Sequence, residues 1–494
     1  MKTAPDIVII GSGMGGATLA AGLAPSGARI TILERGYHIP DDAPTRDPWR
    51  IYTNSAFRSD ETWLDAEDRP FEPGNYYNVG GNSKLYGAVL LRYRQEDFGE
   101  LEHFDGVSPA WPFGYEELAP WYDAAEALYN VRGDSSSDST EPPHASDYPF
   151  PPVPDEPAIK IARQRLENAD TKPFSLPLGI DIDRWLQAGE TGWDGYPDVR
   201  CGKMDAETCA LAEALSHDNV DLITGAEVTR LEMEPGSRRI TSVTYSKDGT
   251  DRSLKPAYVV LCAGAVQSAV TLLRSGVANS SGYVGRCFMN HNATAVIAVD
   301  PRFRNDAVYQ KTFGINDWYL SDGSEGKPLG NVQLLGRVTP DILKIQVPHL
   351  PMFAARWVSH HALDLYLISE DLPDPESRVV LKDGKIQLRW RRSNMTARTK
   401  LVAKTKNTLR KAGFPIILTR LFDGRVPSHQ CGTVRLGSDP ETSVVDPDCR
   451  SWDHPNLFVA DAAALPTSAA VNPALTVAAL ALRTAQIIEK DMAA

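Results

Sequence analysis

The chain opens on Asp6-Ile7-Val8-Ile9-Ile10-Gly11-Ser12-Gly13-Met14-Gly15-Gly16, runs through Ala17 to Leu23, and continues as Arg29-Ile30-Thr31-Ile32-Leu33-Glu34-Arg35. The first run is short, apolar and rich in β-branched residues, and it stops at glycine. That is the pattern of a strand buried on both faces. Residues 17–23 have helix-forming composition, and Ile30 to Leu33 read as a second buried strand. Strand, glycine turn, helix, strand and acid together open a dinucleotide-binding βαβ unit.

Each position has a physical task in such a unit. Gly11 permits the tight turn, Gly13 brings bare backbone to a pyrophosphate, and Gly16 lets helix and strand pack closely. Met14 and Gly15 open the helix, whose N–H groups and partial positive charge point at the phosphates. Glu34 follows Gly11 by 23 residues, a spacing at which a carboxylate reaches both ribose hydroxyls, and Arg35 is its neighbour. The fingerprint itself fits NAD and FAD alike; its N-terminal position and the chain's length favour FAD.

Further along, a second glycine cluster lies at Val79-Gly80-Gly81-Asn82-Ser83 within an irregular stretch. Apolar residues recur at helical spacing over 115–129, and 133–157 is a Ser-, Asp- and Pro-rich loop. A helix is expected over 206–215, strands over 221–231 and 240–245, and a buried strand over 257–262 that ends at Ala263-Gly264. Beyond Asp300 the pattern alternates, over 363–368, 377–382 and 385–390, with Asp383-Gly384 suited to a type I′ turn. Arg389, Arg391 and Arg392 read as a solvated strand face. A short strand (457–460) and a long apolar helix (474–488) close the chain. The expected architecture is an α/β Rossmann-type domain, discontinuous over 1–100, 196–300 and 426–494. An α+β domain with a mainly antiparallel sheet takes 101–195 and 301–425.

The 494 residues carry a formal net charge of −13, which argues against a nucleic-acid partner, since phosphate backbones are bound mainly by Lys and Arg. Cys201, Cys209, Cys262, Cys287, Cys431 and Cys449 form no CxxC pair and no Cys/His metal spacing, so reduced, buried thiols are expected and no metal. Adjacent His360 and His361 have no acidic partner at metal spacing. No run approaches the ~20 apolar residues of a membrane span, and the glycine-studded start does not read as a cleaved signal. A soluble, cytoplasmic protein is expected, and a homo-oligomer is compatible with the sequence.

Several segments, in one order along nearly the whole chain, resemble the glucose–methanol–choline (GMC) oxidoreductases. They are His429-Gln430-Cys431-Gly432-Thr433-Val434-Arg435-Leu436-Gly437, Asn456 to Asp461, and Ala470-Val471-Asn472-Pro473-Ala474-Leu475-Thr476. Leu261-Cys262-Ala263-Gly264-Ala265-Val266-Gln267-Ser268, Val284-Gly285-Arg286 to His291, and Ser369-Glu370-Asp371-Leu372-Pro373-Asp374-Pro375 agree. Gly80 to Gly87, and Asn472 where many members have a second His, are similar to the pyranose-oxidase side of the family, bacterial C-glycoside 3-oxidases included. Pyranose oxidases that bind flavin covalently carry a His in this glycine-cluster segment. Here the run is Ser83-Lys84-Leu85-Tyr86, which implies non-covalent FAD.

The resemblance implies that a base removes a hydroxyl proton while hydride leaves carbon for flavin N5. His429 is the implied base, imidazole being suited to proton transfer near neutral pH, and Asn472 the implied partner at the substrate oxygen. Taken alone, His429 would more readily be a hydrogen-bonded core histidine, and Asn472 a helix cap. The turn's glycine, Gly432, would let the chain approach the flavin ring. The helix after Pro473 would aim its positive end at the flavin pyrimidine. Gly81 and Asn82 would lie near the ring, Asp461 and Ala462 near the phosphate–ribityl region, and Val228 at the adenine. Ala263, Gly264 and Thr476 complete the implied cofactor set. The expected reaction is oxidation of a secondary sugar or glycoside hydroxyl, C3 favoured and C2 open, with electrons passed to oxygen or a quinone-like acceptor. The alternatives are a dehydrogenase using a quinone or protein acceptor, or acting on a non-sugar alcohol, and, more remotely, a non-catalytic flavin-binding electron carrier.

Overall fold

A computed structural model describes residues 5–41, 45, 47–54, 56–187, 195–199, 202–423 and 429–493; Cys201 and Ser428 lie outside them. The opening motif folds as its residues dictate. Strands Ile7–Ile10 and Ile30–Leu33, buried at every position, pair in parallel on either side of the glycine turn and helix Met14–Leu23. Ile7–Ile10 also pairs in parallel with Tyr258–Leu261, which pairs with Leu457–Val459, while Val220–Ile223 covers the other edge. The result is a five-stranded parallel sheet, a Rossmann-type fold in which sequence-distant segments meet. Helix Ala474–Ala493 lies across Met14–Leu23. A Cβ on Gly22 would come 3.0 Å from the Ala485 Cβ, so this glycine sets how closely the two helices cross.

The second body is a six-stranded, wholly antiparallel sheet. Its order is Ile416–Leu421, Thr294–Val299, Ala362–Ile368, Asn331–Leu334, Phe313–Ile315 and Pro173–Ser175. Thr294–Val299 falls in the stretch expected for the nucleotide domain, yet lies inside this sheet. Its TAVIAV run has the look of any strand packed on both sides, so composition alone could not assign it. Asp383 (φ 48°) and Gly384 (φ 77°) form the expected hairpin turn between Arg378–Lys382 and Lys385–Arg389.

Some expectations needed correction. The strand expected over 221–231 is two, Val220–Ile223 and Glu227–Met233, in different sheets; Gly225, at φ 64°, breaks it. Residues 206–215 open as a π-helical turn, Glu207–Leu211, before α-helix Ala212–Leu215. Arg392 is half-buried rather than freely solvated: its Nη2 donates to the Phe422 carbonyl at 2.7 Å and its guanidinium stacks 4.4 Å from the Trp390 ring centroid. The loop after Arg132 forms no helix or strand before Pro157, but the fully buried Arg94 pins it down, and the fully buried Arg92 braces helix Tyr115–Leu128 beside it. Arg92 holds Asp123 and Glu126, and Arg94 holds Asp138 and Glu141. The described cysteines are buried. No described helix is long and apolar enough to cross a membrane.

Candidate active site

The glycine motif shapes a groove bounded by backbone. Gly11 sits at φ 101°, and a Cβ there would lie 2.5 Å from the Cys262 carbonyl oxygen. A Cβ on Gly15 would meet the Ala460 carbonyl at 2.0 Å, and one on Gly16 the Gly11 carbonyl at 2.0 Å. These glycines are therefore required by packing against the strands. Gly13 differs, since only the Gly81 Cα, at 3.9 Å, faces its missing side chain. It also begins helix Met14–Leu23 with no side-chain cap, which leaves the helix start open to an anion. A bare groove and an uncapped helix start suit a dinucleotide pyrophosphate.

Around this groove, the buried Glu34 carboxylate accepts from Ser12 N (3.0 Å), Ser12 Oγ (2.7 Å) and Gly36 N (2.8 Å). Arg35 stacks 3.9 Å from the Tyr77 ring centroid and pairs with Glu61 at 2.9 Å. The segment leading to Val228 docks beside Glu34 through Ala226 N donating to the Glu34 carbonyl. Asp461 joins two turns: Oδ2 accepts from Gly264 N (2.8 Å) and Ser268 Oγ (2.6 Å), and Oδ1 from Ala463 N (2.7 Å). Ala263 and Ala462 are half-buried beside it, and Asn82 is exposed beyond Gly81. The Thr476 hydroxyl is fully buried and bonded to Tyr122 at 2.8 Å, so only its backbone is left for the groove.

At the other end, His429 and Asn472 meet. Asn472 Nδ2 lies 3.2 Å from His429 Nε2. His429 Nδ1 lies 2.8 Å from His291 Nδ1, and His291 Nε2 is 2.9 Å from the Ser468 carbonyl oxygen. This chain has a direction. A carbonyl only accepts, so His291 Nε2 carries a proton and the neutral ring offers Nδ1 as acceptor. His429 must then donate from Nδ1, which leaves its Nε2 without a proton and facing Asn472. Burial holds both histidines below the ordinary range, His429 well below it, with further push from His291 and the Lys311 ammonium. A neutral imidazole with a bare Nε2 is the form in which a histidine accepts a proton.

His429 takes a left-handed backbone, φ 68°, unusual for a residue with a side chain. Gly432 serves a different purpose from the one expected: a Cβ there would strike the Cys287 carbonyl at 2.3 Å, so it is needed for packing against that segment. Three partners carried no sequence signal for the site. His291 was visible only as the end of a motif. Tyr366, whose ring meets His429 edge-on at 6.2 Å, and Gln333, which donates to Asn472 Oδ1 at 2.9 Å, stand opposite each other in neighbouring strands. Asp123, Glu126 and His144 bring metal-ligand atoms together, but Arg92 Nη2 reaches both carboxylates at 2.6 Å and supplies the positive charge itself.

Known proteins are similar to this chain in sequence and fold. The GMC oxidoreductase family models match residues 181–293 and 384–481, and a NAD(P)-binding Rossmann-like model matches 9–49. The 6'''-hydroxyparomomycin C oxidase of Streptomyces lividus is 28% identical over 99% of this chain and 92% of its own. The C-glycoside 3-oxidase of Microbacterium trichothecenolyticum is 27% identical over 99% and 97%. Pyridoxine 4-oxidase from Mesorbium loti has the same fold at a TM-score of 0.64 and 20% identity, over 98% of this chain and 99% of that one.

Proposed function

The chain belongs to the GMC oxidoreductases, and on that premise we propose that it binds FAD non-covalently and oxidises a secondary hydroxyl of a sugar or glycoside. The keto-sugar is formed at C3 in preference to C2. The observation that carries the reading is the bare Nε2 of His429, beside Asn472 and imposed by the His291–Ser468 chain.

FAD, when bound, supplies the hydride acceptor. Everything else belongs to the chain. His429 Nε2 takes the hydroxyl proton, and Asn472 Nδ2 donates to the substrate oxygen as charge develops there. Tyr366 and Gln333 wall the same side. Gly11, Gly13, Met14 to Gly16, Glu34 and Arg35 would hold the adenosine and pyrophosphate end, Glu34 offering its carboxylate to a ribose, and Val228 would meet the adenine. Gly81, Asn82, Ala263, Gly264, Asp461, Ala462, Pro473 and Thr476 would line the flavin end. The parallel sheet and its flanking segments are the cofactor domain, and the six-stranded sheet covers the substrate. Non-covalent attachment rests on Ser83-Lys84-Leu85-Tyr86, which has no histidine to form a link. A cysteine set without CxxC pairs is in keeping with a cytoplasmic setting.

Anaerobic mixing with a panel of sugars and glycosides, followed at the flavin band near ~450 nm, tests the reading. Bleaching by a monosaccharide or glycoside, with a ketone product, is expected. Bleaching by simple alcohols alone would reject the carbohydrate substrate. Reoxidation by a quinone dye but not by air would make the enzyme a dehydrogenase.

A further inference from the structure

We propose that Asp138, a loop residue, sets which way the catalytic Asn472 amide points, acting through a one-way chain of three buried amides: Asn316, Asn331 and Gln333. The inference rests on the roles given above to His429 and Asn472. Asp138 is a positioning residue that acts only through this chain.

Both ends of an amide side chain have nearly the same shape, so its partners alone decide its orientation. Asp138 is ion-paired with Arg94 at 2.7 Å, and a carboxylate can only accept. Asn316 therefore presents Nδ2 to Asp138 Oδ2, at 2.6 Å, and its Oδ1 faces away. That oxygen accepts from Asn331 Nδ2 at 2.8 Å, so Asn331 Oδ1 faces Gln333 Nε2 at 3.2 Å. Gln333 Nε2 spends its other hydrogen on Asn472 Oδ1 at 2.9 Å, which leaves Asn472 Nδ2 towards His429 Nε2. Asn331 and Gln333 are two apart on strand Asn331–Leu334, hence on one face of the sheet.

A second, independent chain reaches the same atom. Read from the Ser468 carbonyl through His291, the histidine relay already leaves His429 Nε2 bare and in need of a donor. The amide chain, read from Asp138, delivers that donor. Both anchors are fixed in polarity, and they agree. Arg94, Asn331 and Gln333 are fully buried and Asn316 and Asp138 nearly so, so bulk solvent competes little for the partners of these amides. Turning Gln333 over would aim its Oε1, which has no hydrogen-bond partner, at the oxygens of both Asn331 and Asn472. Losing buried hydrogen bonds in this way biases the orientation by about tenfold or more.

The readout is the protonation pattern of His429 in oxidised holoprotein labelled with [15N]histidine, its signals assigned by their loss in His429→Ala. Wild type should show a protonated Nδ1 and a bare Nε2. In Gln333→Glu, with the carboxylate ionised, no donor faces Asn472, which turns its oxygen to His429. The His291 relay still holds the proton on Nδ1, so the bare Nε2 loses its hydrogen-bond donor and its 15N signal should move downfield. Flavin reduction by a substrate should then slow by about tenfold or more at nearly unchanged KM. Gln333→Met, which removes the donor without adding charge, and Asp138→Leu, which removes the acceptor that orients Asn316 while Glu141 still pairs Arg94, should give mixtures of both patterns. They decide the question if Gln333→Glu fails to hold flavin. A wild type protonated at Nε2, or an Nε2 signal unmoved from wild type in all three variants, overturns the proposal. Because the pattern needs no substrate, it stands or falls separately from the sugar-oxidation reading: a pattern that follows Gln333 in an enzyme no sugar reduces upholds the chain and rejects only the substrate.

Discussion

Replacing Asp364 by Asn should stabilise the protein at alkaline pH and leave its chemistry unchanged. Asp364 lies in strand Ala362–Ile368, buried at every position. Its Oδ2 accepts from Val338 N at 3.0 Å and Gln310 Nε2 at 3.4 Å, and its Oδ1 has no partner. Burial pushes the carboxyl from 3.8 up to about 7. The folded state thus holds this proton more tightly than the unfolded chain does. Its advantage is complete below pH 3.8, is lost as pH rises towards 7, and stays lost above that. At about 1.36 kcal/mol per pH unit the whole loss approaches ~4 kcal/mol, of which about 2 kcal/mol develops between about pH 5.5 and 8.5. An amide can keep its oxygen towards Val338 and does not ionise. Its NH2, placed where Oδ1 has no partner, carries a penalty that is the same at both pH values. Urea unfolding of wild type and Asp364→Asn holoprotein at those two pH values isolates the titrating part. The stability difference should move by about 2 kcal/mol in the variant's favour. A difference constant to within about 0.5 kcal/mol would show that Asp364 is not neutralised by burial.

Three further outcomes are expected. His429→Ala should keep its yellow flavin but lose substrate-driven bleaching by on the order of 100-fold or more; an unchanged rate would remove His429 from the chemistry. Because burial, then His291 and Lys311, hold His429 below its ordinary value, the rate of flavin reduction should fall only on the acid side of about pH 6.5. Lys311→Met removes one of the opposing charges, so stopped-flow profiles should show that acid limb moving upward, and a stationary limb would count against the assignment. Gly11→Ala should abolish flavin binding or folding, since its Cβ would lie 2.5 Å from the Cys262 carbonyl at a φ of 101°; a normal flavin-to-protein ratio in the purified variant would contradict that geometry.

The parts of this protein that could be read from the sequence are those whose reasons are local. The βαβ opening, the Asp383-Gly384 turn and the Asn-Pro start of the last helix each need only a few neighbouring residues. Where burial is complete, the local signal misleads. The alternation over 363–368 suggests one solvated face, yet strands Ala362–Ile368 and Asn331–Leu334 are buried at every position, so nothing marked Tyr366 or Gln333 as facing His429. Gly225 interrupts what reads as one strand, and its meaning depends on two sheets that the local sequence cannot show. His291 was legible as part of a motif but not as a partner, because its contact with His429 spans 138 residues of chain. The loop holding Asp138 has the composition of a solvated linker, and only the buried Arg94 reveals its anchorage.

The parallel sheet also governs when a chain emerging from the ribosome can acquire its site. Leu457–Val459 closes one edge against Tyr258–Leu261, and the helix that covers Met14–Leu23 begins only at Ala474. The first βαβ unit is thus made long before the surfaces that bury it. Its apolar helix must wait through most of translation, a period in which such segments are prone to aggregate or to occupy chaperones. Contacts of this sequence separation also form slowly. Expression yield should therefore depend more on chaperone supply and growth temperature than on the finished enzyme's stability, and flavin uptake should follow synthesis of the last helix.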